Sequence, residues 1–137
     1  MPTIEILSPP MTVPARRAVA VRLTRFLAAR GVAPGHVVVH FTAIEPNSLF
    51  SGGMPVTALT PADADEGLRY ARVTVCVGTG RDEAFRSELA EEIAAALGLT
   101  ERTPFLYIEF RPTDPSHVHL ADQGRLRSAD TPRRNQP

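Results

Sequence analysis

The chain has 137 residues, a length for one compact domain with enough chain to bury a real core. A formal charge of +0 provides no global field to recruit nucleic acid or an anionic membrane, and a 43% hydrophobic content is ordinary for a globular protein. A single cysteine, Cys76, excludes an internal disulfide framework and fits a reducing compartment. No apolar stretch approaches the ~20 residues that span a bilayer, and no secretion-signal pattern opens the chain. The expectation is a soluble, cytoplasmic domain.

The chain opens Met1-Pro2-Thr3-Ile4-Glu5-Ile6-Leu7, with Ile4 and Ile6 on one side of a short alternating strand. Initiator methionine is normally trimmed before a small residue such as proline, which would leave Pro2 as a free secondary amine. An α-amino group titrates near ~7.7–8.0, and a desolvated apolar site lowers that value by favouring the neutral form. A neutral amine at pH 7 is a good general base. The pyrrolidine ring also fixes φ, so the lone pair points one way.

Ser8-Pro9-Pro10-Met11 breaks the strand, and Thr12 is placed to cap a helix with Pro14 in its first turn. Val19, Leu23, Phe26 and Leu27 form its apolar stripe, and Gly31 ends it. Val37 to Thr42 reads as a β-branched strand. A loop rich in proline, glycine and polar residues follows from Glu45 to Gly67 and contains Phe50-Ser51-Gly52-Gly53. The pattern then recurs. Arg72 to Val77 is a strand, Gly78-Thr79-Gly80 turns the chain, and Asp82 can cap a second helix striped by Phe85, Leu89, Ile93 and Leu97. Gly98 closes that helix, and Phe105 to Phe110 is the last strong strand.

The two β–α–β units, at about residues 2–44 and 71–111, are offset by roughly 68 residues, an internal repeat. Each is too small for its own core. Together they predict an α/β fold of the two-layer α+β kind, a four-stranded mixed sheet with two helices on one face. Right-handed crossovers make the strands parallel within a unit, and a pseudo-twofold axis makes the central pair antiparallel. The other sheet face carries Val38, Cys76, Phe105 and Tyr107, which points to burial against further subunits. Residues 2–120 are read as one domain with a short extra strand near its end. The polar stretch 121–137 is read as a flexible tail.

These motifs resemble the tautomerase superfamily. "MPTIEI" has the family's form of an amino-terminal proline followed by a strand. "VVVHFTAIEPNSLFSGG" is similar to the second strand and glycine-ended hairpin of 4-oxalocrotonate tautomerase and cis-3-chloroacrylic acid dehalogenase, and "GRDEAFRSELAEEI" to their Gly-Arg loop and helix. The resemblance spans roughly residues 2–120. It implies a tandem-repeat fold that assembles as a homotrimer, a small carboxylic acid as substrate, and no organic cofactor. It also implies Pro2 as the base of a keto–enol or double-bond shift.

Arg81 is the second candidate. It follows a glycine turn at a strand-to-helix junction, where free N–H groups and the helix dipole favour an anion, and its guanidinium can take a carboxylate bidentately. An arginine here could equally pair with Asp82 and Glu83 on the surface. Tyr107 and Glu109 share the strand face turned away from the helices. The resemblance to macrophage migration inhibitory factor and the dehalogenase implies that Tyr107 lines a neighbouring subunit's site, with Glu109 where the former has an asparagine, and that both are catalytic, orienting the substrate oxygen or donating a proton. By the same resemblance Phe50 would be the apolar wall of the pocket. Plain interface packing for Tyr107 and Glu109, and a hairpin plug for Phe50, are the alternatives.

The chain also departs from these relatives. Met11 stands where 4-oxalocrotonate tautomerase has an arginine. Ala29 and Gly78 stand where the dehalogenase has a histidine and an extra arginine, and its water-activating glutamate falls near Val118. Hydration, dehalogenation or decarboxylation of a three-carbon acid, and a non-catalytic binding role, are the other functions open to this fold. His117 and His119 have no third ligand at suggestive spacing, so no metal site is expected. His40 reads as a core or interface histidine.

Overall fold

The computed structural model describes residues 1–61 and 66–130. Strand β1 (Thr3–Ser8) leads into helix α1 (Val13–Ala28), and a 3-10 turn (Pro34–His36) leads into β2 (Val38–Ala43). A small hairpin of β3 (Phe50–Ser51) and β4 (Met54–Pro55) follows, with a one-turn helix α2 (Val56–Leu59). The second unit runs β5 (Tyr70–Gly78), α3 (Glu83–Leu97) and β6 (Phe105–Thr113). Beyond a 3-10 turn (Pro115–His117), β7 (His119–Asp122) and β8 (Arg125–Ser128) form a hairpin.

Local chemistry sets the helix limits where the sequence marks them. The Thr12 hydroxyl accepts from the Ala15 N–H, with proline in the first turn of α1. The Asp82 carboxylate accepts from the Phe85 N–H at 2.8 Å and caps α3. Gly98 ends α3 at φ 89, a left-handed conformation that costs an L side chain but not glycine.

The four-stranded sheet has the order β2-β1-β5-β6, with β1 parallel to β2 and β5 parallel to β6. The central pair is antiparallel, with Thr3 opposite Cys76 and Leu7 opposite Arg72. Glu5 opposite Thr74 is the middle of that pairing, so the pseudo-twofold axis between the two units passes beside it. Ile4, Ile6, Val73, Val75 and Val77 point to one face and are buried under Val19, Leu23 and Leu27 of α1 and Leu89 and Ile93 of α3. Ion pairs Arg22–Glu92 and Arg30–Glu88 join the two helices at the surface. Exposed pairs of this kind are worth about 0–1 kcal/mol each, so apolar burial holds the layers together.

No helix among the described residues covers the other sheet face. Val38 is 51% exposed and Tyr107 49%, with His40 exposed beside them. His40 is therefore a face residue and not part of the core. The hairpin corrects the boundary set from composition, because residues 121–128 belong to paired strands, β7 and β8, rather than to a tail. Its two-residue turn has Gln123 at φ 52 and Gly124 at φ 77, both left-handed as a tight hairpin turn requires. Residues 131–137 of the expected tail lie outside the described residues. No helix among the described residues is long and apolar enough to cross a membrane.

Ile6 is fully buried at the centre of this core, so Ile6→Ala is expected to lower the unfolding free energy by about 2–5 kcal/mol. Leu126→Ala, at a side chain 73% exposed, should change it by less than about 0.5 kcal/mol. Urea denaturation of the two variants checks this, and equal losses would mean that the core is misassigned.

Candidate functional site

The β1–β5 register decides what lies beside the amino terminus. Continuing one residue from the Thr3–Cys76 pair brings Pro2 opposite Val77, at the mouth of the turn Gly78-Thr79-Gly80-Arg81. Pro2 is buried, and its carbonyl accepts from the Val38 N–H at 3.2 Å. Met1 is in place in this structure. Burial lowers the pKa of the terminal amine from its ordinary 8.0 by desolvating the cation.

Arg81 is held by its surroundings rather than by a carboxylate. Its guanidinium lies 4.4 Å from the centre of the Phe85 ring, and its N–H donates to the Gly78 carbonyl at 3.1 Å. Asp82 is committed to the helix cap, so the alternative of an Asp82–Glu83 surface pair is not what forms. A cleft of about 340 Å³ is lined here by Val77, Gly78, Thr79, Arg81, Arg86, Phe110 and Pro112. Arg86, which the sequence reading passes over, donates from Nη1 to the Arg81 carbonyl at 2.8 Å.

The remaining candidates gather at the opposite end of the sheet. Tyr107 and Phe50 line a second cleft of about 330 Å³ with Leu49, Ser51, Arg72 and Phe105. Tyr107 is paired with Arg72, which is paired with Leu7, so Tyr107 lies about 16 Å along the strand direction from Pro2. Within one chain, then, Phe50 is a neighbour of Tyr107 and walls nothing at the amine. Glu109 shares the outer face with Tyr107, as expected, but lies between two guanidiniums. Arg111 Nε donates to it at 3.0 Å, and Arg72 is 4.0 Å away. Glu109 thus joins Arg72 and Arg111 on that face.

Arg72 is the other residue that the sequence reading missed. Its alternation with Thr74 and Cys76, against Val73 and Val75, already puts it on the face of Tyr107. The β7–β8 hairpin was missed as well. Arg127 approaches the His36 ring at 3.4 Å, while Pro115 sits 3.9 Å from a Cβ built on Gly78. The segment after β6 thus reaches from that edge to the turn before β2, past the start of β1. A larger groove of about 820 Å³ runs along the outer side of α1 and holds none of the candidates. Among the described residues no cluster of three or more metal-ligating side chains occurs.

The fold has solved counterparts. N1, a member of the cis-3-chloroacrylic acid dehalogenase family, superposes with a TM-score of 0.63 at 21% identity, covering 90% of this chain and 82% of its own. The R7 fused 4-OT asymmetric trimer gives 0.61 at 19% identity, covering 93% and 95%. Macrophage migration inhibitory factor from Toxoplasma gondii gives 0.60 at 19%, covering 90% and 98%. This is the tautomerase fold. No protein-family model and no curated protein sequence matches the chain.

All positive side chains other than histidine in this chain are arginines, so the terminal amine is its one aliphatic amine. Acylation at that amine, followed by intact mass across pH, is expected to titrate below 8.0. Titration at or above the ordinary value would show that the terminus is solvated.

Proposed function

We propose that the chain is a cofactor-independent tautomerase of a 2-keto or dienol carboxylic acid, with processed Pro2 as general base. The observation that carries this reading is the burial of Pro2 at a position that the β1–β5 register sets beside the Arg81 turn. Arg81, stacked on Phe85 and unpaired with any carboxylate among the described residues, is suited to bind the substrate carboxylate. Pro2 then removes the proton α to the carbonyl and returns it elsewhere, while the neighbouring cation stabilises the developing enolate.

Tyr107 and Phe50 enter this scheme from another subunit. Both lie far from Pro2 in their own chain, on an uncovered face or beside it, and the R7 fused 4-OT counterpart is a trimer. In a trimer of this chain, the Tyr107–Phe50 cleft of one copy meets Pro2 and the Arg81 turn of the next. Glu109 serves by holding Arg72 and Arg111 in place on that face. Light scattering is expected to show a stable trimer, and a monomer at micromolar concentration would remove the shared site.

The base is tested by pH and by blocking the amine. Enolisation of an aryl 2-keto acid should rise with pH through an apparent pKa below that of a free α-amino group, because a buried site disfavours the cation, which must lose its proton to act. One uncleaved residue added before Pro2 turns its nitrogen into an amide and should cost about 10²–10⁴-fold in kcat. A folded, extended protein with full turnover would shift the reading to a non-catalytic binding protein.

A further inference from the structure

The cleft beside the amino terminus holds two guanidiniums where the reaction just described assigns one. Arg81 and Arg86 both line it, and among the described residues neither forms an ion pair with a carboxylate. Each is held by something other than an acid, Arg81 against the Phe85 ring and Arg86 by the Arg81 carbonyl. Two like charges on a single turn and a half of chain repel each other until an anion enters between them. The Arg86–Arg81 hydrogen bond uses one N–H of Nη1, so the rest of that guanidinium's fork remains free. The floor of the cleft, Val77, Phe110 and Pro112, is apolar and carries no competing acceptor side chain.

We infer that Arg86 is the specificity-determining residue for the oxygen on the carbon next to the substrate carboxylate, with Arg81 on the carboxylate itself. This rests on the proposed carboxylate-binding role of the cleft and names what it selects: acids bearing a 2-oxygen over acids lacking one. A 2-keto acid presents two oxygens on its carboxylate and a third on the adjacent carbon, and one guanidinium fork satisfies only two. A second, pre-oriented fork takes the third. As the 2-oxygen gains charge on proton removal, its contact with Arg86 strengthens, so the residue contributes to kcat as well as to binding.

The test pairs two ligands that cannot enolise, benzoylformate, which has the 2-oxygen, and phenylacetate, which lacks it, with binding measured calorimetrically on the oligomeric protein. Arg86→Gln is expected to weaken benzoylformate by about 10- to 100-fold and to leave phenylacetate within about twofold, since only the first loses a charge-assisted contact. Arg81→Gln should weaken both. Arg86→Lys keeps a donor for the Arg81 carbonyl and should recover part of the benzoylformate affinity, which separates lost ligand contact from a collapsed turn. Equal losses for the two ligands in Arg86→Gln, no loss for either, or no binding of either ligand by the parent protein would each overturn the assignment. Because neither ligand turns over, absence of tautomerase activity in the parent would sink the proposed reaction while the ligand comparison still decides Arg86.

Discussion

The antiparallel pairing of β1 with β5 is the constraint on which the rest depends. It joins two units that could not be stable alone, and its register makes Ile4 and Ile6 share a face with Val73 and Val75. A shift of one residue would turn every one of those side chains away from the helices. The same register lays the amino terminus against the turn that ends β5. Packing and chemistry are therefore fixed by one choice, since any slip that exposed the core would also part Pro2 from Arg81.

The cost of this arrangement falls on the uncovered sheet face. Both helices lie on one side, and on the other no described residue covers more than about half of Val38 or Tyr107. The polar groups there are not idle, because Glu109 joins Arg72 and Arg111 in a charged row crossing β5 and β6. Such a row suits a face that meets another copy, where partly desolvated charges set register more than they add affinity.

Much of this was legible in the residues. Period-two runs gave the four strands, Thr12 and Asp82 marked both helix starts, and the repeat gave the antiparallel centre. Strand ends were less legible, because β5 and β6 extend past their apolar cores into Gly78 and Thr113, where pairing rather than hydrophobicity holds the backbone. The final hairpin was obscured by composition. Its strands, His119–Asp122 and Arg125–Ser128, are too polar to read as strands, and only Gln123-Gly124 signals the turn. Single-chain proximity was the least legible property. Spacing put Phe50 on a hairpin but could not tell which end of the sheet that hairpin serves.

The pseudo-twofold axis also has a consequence for how the duplicated halves divide their labour. An axis beside Glu5 and Thr74 matches Pro2 with Ala71, whose nitrogen is locked in a peptide bond inside β5, and the residue before the first helix cap, as Arg81 is before the second, is Met11, which packs against the core. Joining two units into one chain removes the second free amine, and the second end has lost its cation as well. What that end presents instead is Arg72 and Tyr107, on the outer face of the sheet. Fusion here distinguishes the two ends of the sheet, one holding the chain terminus and Arg81, contributed by different halves, and the other a peptide nitrogen and a packed methionine at the matching positions.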